Sequence, residues 1–256
     1  MTYAEFLQRF LLIPLALVAF LVWHARARLR RRRLARRAFG ALAAYTALAV
    51  AWTTPWDAYL ITHDVWRHGD VTGTALGVPT EEYLFMVGQS LIVGLLAIRI
   101  LADHPRTAPP ATGPAARWAA GGAWAAAAVA AWVLHPLWAH GFYLTAIVGW
   151  FAPLLALQSF VGADRLVAHR AARWRIAVLP VAYLWIVDRV AIASGTWWIN
   201  PDWTLGLRPL GLPVEEAVFF LVTTLLLVNG MALALDAEMW RRAARWLRRG
   251  KVPADA

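Results

Sequence analysis

Two pairs of adjacent glutamates carry the residue types and spacing best suited to chemistry. Glu81 and Glu82 lie in Gly77-Val-Pro-Thr-Glu-Glu-Tyr-Leu-Phe85, and Glu215 and Glu216 in Gly211-Leu-Pro-Val-Glu-Glu-Ala-Val-Phe219. Each copy opens an apolar run. A carboxyl group set among apolar side chains and beside a second carboxyl can stay protonated near neutrality and so act as a proton donor. Phe85 follows Glu82 by three residues and Glu81 by four, which places it on their helix face, and Phe219 with Phe220 follows the second pair. Aromatic faces stabilise a developing cation, and apolar surroundings exclude the water that would trap it. Together these groups could protonate an alkene, let the carbocation close a ring, and remove a proton with a second carboxylate. Glu82 and Glu216 are the expected donors, each three residues before an aromatic. A plainer reading exists, because proline favours the first helical position and glutamates in the first turn complement the helix dipole. Recurrence of the whole motif argues for function, with one glutamate of each pair free to cap.

A further acid precedes each motif: Asp57 in Trp-Asp-Ala-Tyr-Leu and Asp188 in Ile-Val-Asp-Arg-Val. Ionisable groups at membrane depth are costly and default to functional candidates, although Arg189 beside Asp188 permits a buried ion pair instead. The expected catalytic set is therefore Glu82, Glu216, Glu81, Glu215, Asp57 and Asp188. Phe85, Phe219, Phe220, Trp56 and Trp198 are expected to line a substrate. Trp198 belongs to Trp197-Trp198-Ile-Asn-Pro-Asp-Trp203, which reads first as an interfacial anchor. His63, Asp64, His68 and Asp70 fit no common metal spacing and read as an interfacial polar loop, so no metal site is expected.

The elements that must position these residues are membrane helices. Of 256 residues 61% are hydrophobic and only 16% charged, too apolar a balance for an ordinary soluble domain. Seven apolar segments, Phe6–Trp23, Phe39–Ile61, Pro79–Leu101, Trp118–Leu134, Phe142–Val161, Ile176–Ser194 and Pro213–Leu235, each approach the roughly 20 residues needed to cross hydrocarbon. The fourth, short and alanine-rich, is the weakest. The chain is thus expected to be an all-α polytopic membrane bundle of about seven helices. The repeated motif overlays spans one to three on spans five to seven, giving two parallel three-helix repeats over residues 1–104 and 140–238. Residues 105–139 supply a linking fourth span, and 239–256 form a basic tail. Substrate sites in such duplications tend to lie where the repeats meet.

The net charge of +10 comes in arginine blocks between apolar runs, which are orientation signals and not a nucleic-acid footprint. The blocks His24–Arg37, Arg165–Arg175 and Arg241–Lys251 share one side, predicting an outside amino terminus and a cytoplasmic carboxyl terminus in a bacterial plasma membrane. Membrane lipids are the expected surroundings, nucleic acid is not a partner, and homo-oligomers are compatible with the pattern. With no cysteine, thiolate metal sites and cysteine nucleophiles are excluded.

The duplicated unit, with Pro79-Thr-Glu-Glu-Tyr-Leu-Phe85 and Pro213-Val-Glu-Glu-Ala-Val-Phe-Phe220, resembles the membrane-embedded lycopene cyclase family of actinobacteria, archaea and fungi. In its heterodimeric members the two units are separate subunits; here they are fused. The resemblance covers nearly the whole chain. It implies conversion of the ψ end groups of lycopene, a lipid-soluble polyene, into cyclic end groups without net redox change. It equally implies, as an alternative within the family, cyclisation of C50 carotenoids to ε or γ rings. It carries onto Glu81, Glu82, Glu215 and Glu216, with Asp57 and Asp188 as supporting acids. No cofactor is expected: a flavin-dependent cyclase would show a dinucleotide-binding glycine fingerprint, and a prenyltransferase would show paired aspartates for magnesium. Retinal binding fails because Lys251, the only lysine, follows the last span. A small transporter or proton-coupled carrier is the rival from another class, since parallel repeats with intramembrane acids also suit carriers.

Overall fold

The computed structural model describes residues 1–31, 35–101 and 112–249, without the side chains of 25–31 and 247–249. Residues 32–34 of the first arginine block, 105–111 of the expected linker, and Lys251 lie outside that range. The chain is an all-α bundle. Its long helices are α1 (residues 3–31), α2 (Ala35–Thr62), α3 (Thr80–Leu101), α4 (Ala115–Leu134), α5 (Phe142–Ala168), α6 (Arg170–Ala193) and α7 (Val214–Leu235), followed by the short α8 (Ala237–Arg249). Among the described residues five stretches are long and apolar enough to cross a membrane: Tyr3–His24, Thr80–Leu101, Ala139–Ala168, Arg170–Ala193 and Val214–Leu235. These mark a membrane protein. α2 and α4, with 28 and 20 residues, have the length but not the apolarity. Arg36, Arg37 and several threonines dilute α2, and α4 is mostly alanine with tryptophan.

Among the described residues four short strands complete the fold: β1 (Trp66–His68), β2 (Thr74–Ala75), β3 (Val78–Pro79) and β4 (Trp197–Ile199). β1 follows α2, β4 follows α6, and the two pair antiparallel with Trp66 opposite Ile199 and His68 opposite Trp197. The ribbon roofs one end of the bundle. β2 and β3 form a second small hairpin that leads into α3.

The core divides by chemistry along the bundle axis. Beneath the ribbon it is aromatic, with Tyr3, Phe6, Trp56, Tyr143, Phe151, Phe219 and Phe220 in one cluster. Toward the other end it is aliphatic and small, with Val22, Leu42, Val93, Ala97, Ile176 and Met231. α3 takes α1 and α2 against glycines: a Cβ on Gly88 would come within 2.4 Å of Leu11, and one on Gly94 within 2.2 Å of Leu42. Small residues let apolar helices approach closely where no hydrophobic effect drives them together.

Prolines inside the helices free carbonyls that hydrocarbon cannot hydrate. Neighbouring helices supply donors. Pro14 frees the carbonyl of Phe10, which accepts from Tyr183 Oη at 2.8 Å, and Pro153 frees that of Gly149, which accepts from Trp132 Nε1 at 3.0 Å. Tyr3 precedes Pro14 by eleven residues, whereas Tyr143 precedes Pro153 by ten. A π turn over Gln8–Leu12 absorbs the extra residue, so both tyrosines reach the same end of the bundle.

Asp236 organises the opposite end. It terminates α7, and its Oδ1 caps α8 by accepting from the backbone N–H groups of Glu238 and Met239 at 2.8 and 3.0 Å. Its Oδ2 accepts from Arg165 at 2.7 Å and meets His169 Nε2 at 2.7 Å. Burial opposes ionisation here, but the hydrogen bonds from His169 and Arg165 prevail and hold the carboxyl down to about 2. α8 then lies across the end of the bundle, with Arg242 paired to Asp164 and Trp240 under the Arg37 guanidinium. Asp236→Ala should lower stability by about 3–5 kcal/mol, because it strips the carboxylate from a buried guanidinium, and thermal unfolding in detergent measures it. Since the folded-state carboxyl is depressed, this contribution is present above roughly pH 4 and is lost as pH falls through about 2.

Candidate functional site

Consecutive residues in a first helical turn point about 100° apart, so two adjacent glutamates must face different surroundings. At the start of α3, Glu81 turns to the preceding hairpin, where it accepts from Thr72 N–H at 2.8 Å and from Thr80 Oγ1 at 3.1 Å. Glu82 turns inward, and its Oε1 accepts from Tyr3 Oη at 2.9 Å and meets His68 Nε2 at 2.8 Å. α7 repeats the division. Glu215 accepts from Leu205 N–H at 2.7 Å, while Glu216 turns inward and accepts from Tyr143 Oη at 2.6 Å. Glu81 and Glu215 thus tether loops over the helix mouths.

Asp57 and Asp188, from α2 and α6, join the inward pair, and both are almost fully buried. Asp188 Oδ1 accepts from Trp197 Nε1 at 2.8 Å. Arg189 does not pair with it; that side chain is exposed and lies against Gly211. Asp57 has no hydrogen-bond partner on either oxygen among the described residues. Asp57 and Asp188 each interact electrostatically with both Glu82 and Glu216, and those two glutamates with each other. The four carboxyls therefore form one array, contributed by both halves of the chain.

The array lines a cavity of about 510 Å³ that continues between the helices to Leu233, Met239 and Trp240 at the α7–α8 corner. Its walls are overwhelmingly apolar. Phe85, Phe219 and Phe220 line it beside the carboxyls, as do Trp52, Trp66 and Trp197. Trp56 does not: it is buried behind the wall, stacked on Phe219 with ring centroids 5.1 Å apart. Trp198 does not either, for a reason set by strand geometry. Side chains alternate across a strand, so Trp197 and Ile199 face the cavity while Trp198 faces out, 41% exposed and beneath the Arg67 guanidinium.

Sequence reasoning missed Tyr3, Tyr143, Trp197 and His68 as partners of the acids. The tyrosines were detectable as matched aromatics opening the first helix of each half. His68 was grouped with His63, Asp64 and Asp70 in a polar loop, but the ribbon separates them: Asp64 pairs with Arg67, His63 bonds the Tyr59 carbonyl, and His68 turns to Glu82. Only recognition of β1 as a strand would have sorted them.

The division of labour within each glutamate pair is measurable. Glu215→Ala would leave the Leu205 N–H without its acceptor and should cost about 1–3 kcal/mol in thermal unfolding. Glu216→Gln, which keeps an acceptor for Tyr143, should change stability by less than that.

A family model described as lycopene cyclase matches residues 7–98 and 140–234. The lycopene beta-cyclase of Halobacterium salinarum (strain R1) is 39% identical over 199 residues, covering 76% of this chain and 82% of that protein. The bifunctional lycopene cyclase/phytoene synthases of Podospora anserina and Neurospora crassa are 34% and 35% identical over 71% and 80% of this chain, which spans about a third of each fungal protein. No solved structure matches.

Proposed function

We infer, from the premise that this chain belongs to the lycopene cyclase family, how its carboxyl array acts; the chain is an enzyme that cyclises lycopene. The observation that carries the reading is four buried carboxyls lining one apolar cavity that runs on between the helices to the α7–α8 corner. A rod-shaped polyene fits such a cavity only lengthwise, with one end group at the acids and the rest of the chain toward α8. Clustered carboxyls away from water share protons, so one can donate while another accepts. Of Glu82 and Glu216, one donates a proton to the terminal double bond. The resulting cation closes a six-membered ring against Phe85, Phe219 and Phe220, whose ring faces stabilise it. The other glutamate, as a carboxylate, removes the final proton. One proton enters and one leaves, so no net redox change occurs. Asp57 and Asp188 support the charge distribution, and Tyr3, Tyr143 and Trp197 hold the carboxyls in place. The name of the archaeal relative points to β rings as the product.

The architecture that serves this reaction is a pair of parallel three-helix repeats, residues 1–104 and 140–238, with α4 as the linking span and seven crossings in all. Three observations support it: the matched Tyr3–Glu82 and Tyr143–Glu216 bonds, the β1–β4 ribbon joining equivalent loops, and the family match in two segments. The array then lies at the outer face, and Arg165, Arg242 and α8 at the cytoplasmic face.

Expression in a lycopene-accumulating bacterial host, followed by pigment chromatography, tests the function. Cyclic end groups are expected from the wild type; unchanged lycopene above well-folded protein would sink the assignment and make C50 carotenoids the next substrates to try. Glu82→Gln and Glu216→Gln should each reduce turnover per folded molecule by about 10²–10⁴-fold, the usual range for removing a general acid or base. Full activity in both would leave Glu82 and Glu216 only the structural role of accepting from Tyr3 and Tyr143.

A further inference from the structure

The two inward glutamates are matched in everything except one neighbour. Each accepts from a tyrosine that opens the first helix of its half, at 2.9 Å for Glu82 and 2.6 Å for Glu216. Trp66 follows Asp57 by nine residues, and Trp197 follows Asp188 by nine, so the position equivalent to His68 is Ile199. Glu82 therefore has an imidazole against it, and Glu216 has no counterpart. The imidazole is also placed at a boundary. Its ring stacks on Tyr3 with centroids 5.9 Å apart, and its side chain is 7% exposed, yet Arg67, Gly69 and Asp70 around it are exposed. Nε2 meets Glu82, whereas Nδ1 has no hydrogen-bond partner among the described residues.

We propose that His68 is the proton connection between the carboxyl array and outer water. This rests on the cyclase reading above. Imidazole suits the task because it can take a proton on one ring nitrogen and release another from the second. When Glu82 carries a proton, Glu82 Oε1–H gives it to His68 Nε2, and His68 Nδ1–H gives its proton to water. The reverse sequence restores it. No electrons move, and each ring formed still consumes one proton and releases one. The groups that face this pair are Tyr3 from α1, Asp57 from α2, Asp188 from α6 and Glu216 from α7. All are acids or phenols, so among the described residues His68 is the one base that lines the cavity with the array. His68 is thus a positioning and relay residue, acting through Glu82. It also makes the hydrogen added to the substrate solvent-derived, where a sealed array would return the proton it had just removed.

The test follows that hydrogen. Wild type, His68→Ala and His68→Gln are placed in liposomes containing lycopene and buffered in deuterium oxide, and the product is weighed by mass spectrometry while its formation is timed. The wild type should incorporate close to one deuteron per ring. Both variants should slow by roughly tenfold or more and incorporate well under one, since glutamine keeps a hydrogen bond but cannot shuttle. Added imidazole should restore rate and label together in His68→Ala. Slower turnover with full deuterium content would indicate a merely structural histidine and overturn the relay, as would variants unchanged in both readouts. Failure of the wild type to form rings would overturn the cyclase reading itself.

Discussion

Holding four carboxyl groups away from water is the constraint on which the rest of this structure depends. Neither hydrocarbon nor an apolar cavity offers them partners, so every donor must come from the protein. The bundle supplies Tyr3 from the start of α1, Tyr143 from the start of α5, and Trp197 and His68 from the two strands of the ribbon. Helix ends and loops that would otherwise be free to splay are thereby fixed to the mouth of the cavity. Asp57, with neither oxygen bonded among the described residues, is the point where that supply stops.

The same constraint explains why the outer glutamate of each pair matters as much as the inner one. Glu81 and Glu215 accept backbone N–H groups from loops that close over α3 and α7. Those loops keep the array covered. The short ribbon does the remaining work, since it joins a loop from each half and aims Trp66, His68 and Trp197 inward by strand alternation alone. Below it, aromatic side chains surround the acids, and the wall becomes aliphatic toward α8. A cation formed at the acids would meet ring faces there, and a polyene tail would meet a mostly apolar wall.

At the far end, one carboxylate does several structural jobs. Asp236 ends α7, caps α8 and anchors the α5–α6 corner through Arg165 and His169. Asp236 is fully paired, and hydrogen bonds from His169 and Arg165 hold its carboxyl down to about 2. Two buried acidic regions of one chain therefore differ in kind: cations and backbone N–H groups surround one, and phenols, an indole and a single imidazole touch the other.

What the sequence by itself determined follows from periodicity and repetition. Long apolar runs require helices, the doubled Pro-x-Glu-Glu motif marks two equivalent helix mouths, and Asp57 and Asp188 within apolar stretches are visible as costly groups. The aromatic Phe85, Phe219 and Phe220 follow from helical spacing, and all three line the cavity. Tertiary structure alone decided which side chains meet. Spacing to Phe85 singles out Glu82 as the expected donor, but which partners each glutamate meets is set by the packed helical turn, which sends Glu81 to a loop and Glu82 inward. Of Trp197 and Trp198, the cavity takes Trp197, because a three-residue strand that no periodicity reveals turns it in and Trp198 out. His68 joined the acids for the same reason. Local pattern encodes elements, whereas contacts between residues tens of positions apart exist only once those elements have packed.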